Sequence, residues 1–316
     1  MRYITPTLSD LEKAAERIAP FAEITPILTC SAISEMVGVE LFFKCENFQK
    51  VGAFKFRGAC NAVFSLTDDE AAKGVATHSS GNHAAALSLA GKLRGIPVHV
   101  VMPSNAPKIK KRAVKGYGGR ITYCEPTLSA RESTLKTVIE KTHAFEIHPF
   151  NDERIIAGQG TATLELLNTI PDLDVIIAPI GGGGLISGTC IAAKGINPNI
   201  TIMGAEPKGA DDAYLSLAKG EIVPQTNPNT IADGLLSSLG KKTFPIIAEH
   251  VSKILTVSEK NIIRAMRLVW ERLNIIIEPS SAVVLAALLE HPDENKEKKV
   301  GLILSGGNTD LDHLYW

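Results

Sequence analysis

Short apolar runs alternate with stretches of helical periodicity almost from end to end of the chain. Strand candidates include Leu41–Glu46, Val75–Ser79, Val98–Met102, Ile121–Cys124, Val175–Ala178, Ile200–Ala205 and Val300–Leu304. Helical patterns lie between them, among them Gly81–Leu93, Ala106–Lys115, Leu128–Lys141 and Gly184–Lys194. The opening helix is expected to start on a capping box, Ser9 with Glu12 three residues later. This βαβ alternation predicts an α/β fold with parallel sheets covered by helices on both faces. Val75 to His148 holds four strand candidates with three helices between them, and no Pro/Gly/Ser-rich linker bounds it. The expected organisation is a small domain, 71–148, inserted in a large one built from 1–70 and 149–316.

With 316 residues, 45% of them hydrophobic, the chain can bury a large core and is not intrinsically disordered. Its 33 basic and 34 acidic residues nearly cancel, which argues against a nucleic-acid or membrane-surface partner. No apolar run approaches the ~20 residues of a membrane span. The opening MRYITPTLSDLEKAAE turns acidic where an export signal would be apolar. Cys30, Cys45, Cys60, Cys124 and Cys190 contain no CxxC pair and are expected to be reduced, mostly buried thiols of a cytoplasmic protein.

Ligand sites in such folds lie beyond the carboxyl ends of strands, so the strand-to-helix turns carry the functional information. Gly181–Gly184 separates the apolar run VIIAP from the helical LISGTCIAAK. Four glycines cost several times the ~0.5–1 kcal/mol of one, which points to a need for bare backbone. A nest of N–H groups at a helix start suits a phosphate. A dinucleotide is one candidate owner of that phosphate: Gly182, Gly184 and Ser187 give G-x-G-x-x-S, with Glu206 closing the next strand. The third position should be Gly or Ala, and that reading leaves the other turns unexplained.

Ser79-Ser80-Gly81-Asn82-His83 crowds two hydroxyls, an amide and an imidazole at a helix start, more than capping needs. Such a set can hold a carboxylate and aim a hydroxyl at a reacting atom. Lys55 lies between Phe54 and Phe56 in a segment of small residues, surroundings that lower a lysine pKa and supply a free amine for a Schiff base. Ser305-Gly306-Gly307-Asn308 closes the strand VGLIL with a hydroxyl suited to a ring nitrogen. A phosphate cradle, a desolvated lysine, a polar cluster and a hydroxyl for a heterocycle together describe pyridoxal 5′-phosphate. A non-catalytic nucleotide-binding α/β protein would need only the first of these.

The chain resembles the fold-type II (tryptophan synthase β-like) pyridoxal-phosphate enzymes, and within them the serine racemase and serine/threonine dehydratase family. The likeness runs from TPILTCS at Thr25 to SGGNTDL at Ser305, through FQKVGAFKFRGA, HSSGNH, IAGQGT, GGGGLISG, AEPKGADD, TIADGL, IEPSS and SGGN in family order. The regulatory C-terminal extension of biosynthetic threonine deaminases has no counterpart in it. The resemblance implies that Lys55 carries the cofactor, Phe54 packs on its ring, Asn82 contacts its 3′ oxygen, and Ser305 faces its pyridine nitrogen. It implies that Gly181, Gly182, Gly183, Gly184 and Leu185 hold the phosphate through backbone N–H groups. A divalent cation, Mg²⁺ or alternatively Ca²⁺ or Mn²⁺, would be bound by Glu206, the carbonyl of Ala210, and Asp212.

The resemblance also places the substrate, a small hydroxy-amino acid, at Ser79, Ser80, Asn82 and His83, with Arg131 and Ser237 nearby. The racemase branch has HSSGNH, whereas threonine deaminases usually have alanine at the second serine. Racemisation needs acid/base groups on both faces of a planar carbanion, which the resemblance assigns to Lys55 and Ser80. The implied activity is serine racemisation with α,β-elimination of L-serine to pyruvate and ammonia. The alternative is a threo-3-hydroxyaspartate or threonine/serine dehydratase, with Arg131 on the second carboxylate. Ala85 and Asn274 depart from the nucleotide site of animal serine racemases and weigh against ATP as an activator, although Lys50, Tyr117 and Asn308 match it. A homodimer is expected from the family alone.

Overall fold

The computed structural model describes residues 5–106 and 108–316, the side chain of Ile109 apart. Ten strands are present among them: β1 (Ile27–Leu28), β2 (Glu40–Cys45), β3 (Val75–His78), β4 (Val98–Pro103), β5 (Arg120–Cys124), β6 (Phe145–Glu146), β7 (Val175–Pro179), β8 (Thr201–Pro207), β9 (Val251–Val257) and β10 (Lys299–Leu304). They form a six-stranded sheet in the order β1-β2-β10-β7-β8-β9 and a four-stranded sheet in the order β5-β4-β3-β6. Every neighbouring pair is parallel except β1 with β2.

The seven named strand candidates and four named helices all appear, with ends moved by one or two residues. The continuous apolar runs reflect burial of parallel strands on both faces; all five residues of β7 are buried. Helices Glu153–Thr169 and Gly184–Ile196 cover one face of the large sheet, packing Ile156, Leu164, Ile186 and Cys190 against Ile176, Ala178 and Ile202. Helices Glu259–Leu273 and Pro279–Glu290 cover the other through Met266, Val269, Val283 and Leu285. Among the described residues no helix is long and apolar enough to cross a membrane.

The first helix corrects one expectation. Its capping box is Thr7 with Asp10, so Ser9 lies inside the first turn of Leu8–Ile18. The Thr7 hydroxyl accepts the Asp10 N–H, and the Asp10 carboxylate accepts the Thr7 N–H at 2.9 Å. The chain turns into the helix two residues earlier than the Ser9 pattern suggests, and the reciprocal pair sits where the first free N–H groups are.

Helix Lys55–Phe64 belongs to both halves of the molecule. Phe56, Ala59, Cys60 and Val63 share one core with Leu87, Val98 and Val100 beside the small sheet. On its other side the fully buried Arg57 is gripped by Glu46 (2.7 and 2.8 Å) and by Glu165 (2.6 and 2.8 Å). Lys44 of β2 closes the network by donating to Glu165 at 2.5 Å and to the Thr25 carbonyl at 2.8 Å. Two cations balance two carboxylates, and the geometry is bidentate, the arrangement that makes a buried ion pair tolerable. Gly58 and Gly158 let this helix approach Glu153–Thr169 closely; a Cβ on Gly158 would lie 2.6 Å from Gly58 Cα.

Removing one partner of such a network leaves uncompensated buried charge. Arg57→Ala is therefore expected to cost about 3–5 kcal/mol, read as a shift in the chemical-denaturation midpoint. A loss under about 1 kcal/mol would mean that the network contributes little to holding the helix.

Candidate active site

The predicted turns lie at the carboxyl ends of strands, and hydrogen bonds knit them together. The Phe54 N–H donates to the Ser305 carbonyl at 3.0 Å, Ala53 bridges Gly306, and the Gly307 N–H donates to Gly52 at 2.9 Å. The loop after β2 is thus paired to the loop after β10. Lys55, the first residue of its helix, donates from Nζ to the Pro149 carbonyl at 3.1 Å and stands 5.0 Å from the Phe54 ring centroid. Burial, partly opposed by the Glu278 charge, lowers the Lys55 amine to about 8.

Glu278 is the residue that sequence reasoning missed. It lies in the quoted IEPSS stretch and reads as an ordinary helix start. Its buried carboxylate accepts from Asn82 Nδ2 at 3.1 and 3.0 Å, and its N–H donates to Gly306 at 3.0 Å. A Cβ on Gly306 would meet Glu278 Oε1 at 2.9 Å, so the glycine of SGGN makes room for it. Asn308 donates to Asn82 Oδ1 at 2.9 Å, completing a chain across three turns. Burial raises the Glu278 carboxyl to about 7, against the pull of the Asn82 bond. The signal in the sequence was a carboxylate before Pro-Ser-Ser with no basic partner nearby.

The turn after β3 is half-buried at Ser79, Ser80, Gly81 and Asn82. Helix Asn82–Arg94 has Gly81 at its N-cap and no side-chain cap. The Ser79 hydroxyl accepts the Gly81 N–H at 3.3 Å, and the Ser80 hydroxyl makes no hydrogen bond among the described residues. His83 is buried, with Nε2 3.4 Å from the Ile147 carbonyl and Nδ1 unpartnered. Desolvation holds it well below the ordinary histidine range, so the ring is neutral. A carbonyl only accepts, which puts the ring proton on Nε2 and leaves Nδ1 as a bare acceptor. In that tautomer the imidazole offers no N–H to a substrate carboxylate, and the His83 backbone N–H is its available donor.

The glycine loop is walled on both sides. Cβ atoms would meet the Phe150 ring 2.3 Å from Gly182, and Ile247 and Thr243 at 2.8 and 2.9 Å from Gly183, which also has φ of 87°. Helix Gly184–Ile196 starts without a side-chain cap, and the N–H groups of Gly181 to Leu185 find no acceptor among the described residues. Phe150 follows Pro149, the partner of Lys55, so phosphate cradle and amine share one wall. Ser305 is buried, and its hydroxyl has no protein partner among the described residues. A row of free N–H groups, a lowered amine, an unpaired hydroxyl and an amide fit pyridoxal phosphate.

Arg131 and Ser237 take less central places. Arg131, half-buried on helix Leu128–Thr142, lowers the pKa of His78 at the end of β3 by its charge, after the larger effect of burial. Ser237 is exposed on the loop after residues 233–235. Away from these turns, Glu206 and Asp212 are buried carboxylates raised by desolvation to about 9 and about 7. Glu206 accepts the Tyr214 N–H at 2.6 Å, Asp212 Oδ2 is buried without a partner, and Ala210 is buried beside them in sequence. Among the described residues no group of three or more His, Cys, Asp or Glu forms a metal cluster. Two carboxylates with an orphan oxygen and a carbonyl nevertheless fit a hard cation.

The lowered amine sets a pH dependence. Lys55 is nucleophilic only when deprotonated, a form that grows as pH rises through about 8 rather than through 10.5. The rate at which apoprotein forms its absorbing adduct with pyridoxal phosphate should climb to about pH 8 and then level. A rate still climbing above pH 10 would show that the pocket does not depress this amine.

The pyridoxal-phosphate dependent enzyme family model matches residues 18–306. The chain is 55% identical to a serine racemase of Dictyostelium discoideum over 98% of this chain and 97% of that one. It is 53% identical to the beta-hydroxyaspartate dehydratase of Paracoccus denitrificans over 98% and 99%. The structure of maize serine racemase superposes with a TM-score of 0.96 at 49% identity, covering 98% of this chain and 95% of that one. Family match, fold and site geometry agree, and the chain belongs to the pyridoxal-phosphate-dependent enzymes of fold type II.

Proposed function

We propose that this chain is a serine racemase that also eliminates water and ammonia from L-serine. The observation that carries the reading is Ser80. A helix-capping serine would bond the first free N–H groups, yet Ser80 bonds nothing among the described residues and the helix start has no side-chain cap. Bound pyridoxal phosphate supplies an electron sink for charge released at the substrate α-carbon. Ser79 and the first N–H groups of helix Asn82–Arg94 bind the substrate carboxylate. Lys55 moves the α-proton on one face, and Ser80 holds and returns a proton on the other. Ser305, a neutral hydroxyl, leaves the ring nitrogen unprotonated, which favours elimination and short-lived carbanions over transamination.

The second reading is a threo-3-hydroxyaspartate or threonine/serine dehydratase without significant racemase activity. The likeness to the beta-hydroxyaspartate dehydratase supports it, with Arg131 receiving the second carboxylate. We also propose that Glu206, the Ala210 carbonyl and Asp212 hold Mg²⁺, Ca²⁺ or Mn²⁺. The domain division at 71–148 is supported by β3–β6 forming a separate sheet, although helix Lys55–Phe64 shares that sheet's core. A cytoplasmic location is supported by five free cysteines among the described residues, and a homodimer is proposed from the family resemblance alone.

Ser80→Ala tests the racemase reading. Loss of one acid/base group costs ~10²–10⁴-fold, so serine racemisation should vanish on chiral chromatography while pyruvate release from L-serine largely survives. Parallel loss of both reactions would refute the two-face assignment. Wild-type protein that turns over threo-3-hydroxyaspartate but does not racemise serine would move the dehydratase ahead.

For the cation, chelation should lower the thermal midpoint and Mg²⁺, Ca²⁺ or Mn²⁺ should restore it, because binding to the folded state alone raises stability. Asp212→Ala should remove that response. An unchanged response in the variant would show that the cation binds elsewhere.

A further inference from the structure

Thr243 opens the eight-residue helix Thr243–His250, where it is fully buried and is not part of the glycine loop. Its hydroxyl donates to the Gly182 carbonyl at 2.8 Å and accepts the Gly240 N–H at 2.9 Å. The Gly240 carbonyl, at 3.2 Å, is the more distant acceptor. In a trans peptide the carbonyl and the following N–H point in opposite directions, and no cis bond occurs among the described residues. Holding the Gly182 carbonyl toward Thr243 therefore aims the Gly183 N–H, which has no acceptor among the described residues, away from Thr243.

That peptide needs an anchor. It lies between two glycines, which populate either sign of φ with little penalty, and Gly183 already stands at φ 87°. Phe150 restrains the loop only by contact on one side. We propose that Thr243 is a positioning residue for the cofactor phosphate: its hydroxyl fixes the 182–183 peptide so that the Gly183 N–H faces the anion. The Thr243 Cβ and hydroxyl, both retained in serine, have a second part in this, because they fill the space where a Cβ on Gly183 would sit, 2.9 Å away. The inference rests on the pyridoxal-phosphate reading of the site.

The test compares two ligands that differ only in the phosphate. Apoprotein of wild type, Thr243→Val and Thr243→Ser is titrated with pyridoxal 5′-phosphate and with pyridoxal, following adduct absorbance. Thermal protection by inorganic phosphate is measured in parallel. Hydrogen bonds to a charged group are among the strong ones, so Thr243→Val should raise the Kd for pyridoxal phosphate about tenfold or more. Pyridoxal should change by less than about twofold, phosphate protection should fall, and Thr243→Ser should behave as wild type. Thr163→Val controls for general destabilisation, since it removes a buried hydroxyl pair with Thr189 outside the cradle. If Thr243→Val does not accumulate as folded protein, Thr243→Cys, a weak donor of similar size, is read in the same way. Equal weakening of both ligands, or unchanged affinity for pyridoxal phosphate, overturns the proposal. Wild-type protein that binds neither ligand would instead overturn the cofactor reading.

Discussion

A guanidinium buried between two carboxylates fixes the position of the Lys55 helix, and the rest of the site is arranged around that helix. Arg57 lies two residues after Lys55 and is tied to the end of β2 through Glu46 and to helix Glu153–Thr169 through Glu165. The apolar side of the same helix is committed to the small-sheet core. Hydrophobic contacts are non-directional and can slide, whereas a bidentate ion pair in a dry interior has one geometry. The helix that carries the amine is consequently registered to the large sheet, on the same frame as the glycine loop and Ser305.

The site that results is made largely of polar groups left unpaired within the protein. Among the described residues, the helices after β3 and after the glycine loop start without side-chain caps, the N–H groups of the glycine loop have no acceptor, and Ser80 and Ser305 keep their hydroxyls free. Unpaired donors of this kind are costly when buried, so they persist where a ligand completes them. The groups that are fully paired, Asn82, Glu278 and Asn308, form the bracing between turns. Asn82 belongs to both sets, since the amide that Glu278 and Asn308 orient is also the group expected at the cofactor's 3′ oxygen.

Most of the architecture was legible because parallel strands covered on both faces must be apolar throughout, and the helices between them are runs too long to be strands. The misses have physical causes. β1 is two residues long, and edge strand β9 exposes Ser252 and Lys253 together, which breaks the alternation that marks a strand. The turns that carry Lys55, Ser80, Asn82, the glycines and Ser305 stood out because their composition was expensive or unusual for their position. Glu278 and Thr243 did not stand out, since each acts through a contact to a turn remote in sequence. Nothing in a one-dimensional pattern tells Asn82 that its partner is at 278.

The pairing of β2 with β10 has a consequence for how the molecule is made. The parallel neighbour of β2 is β10, the last of the ten strands in chain order, so residues 40–45 emerge from the ribosome long before their partner exists. The small sheet, by contrast, is complete once residue 146 has emerged, and its strands pair only with one another. During synthesis at ~5–20 residues per second the inserted sheet can fold while Leu41, Phe43 and Cys45 still lack their β10 partners. Until Lys299–Leu304 arrives to close the sheet, that side of β2 is an unpaired, β-prone apolar edge.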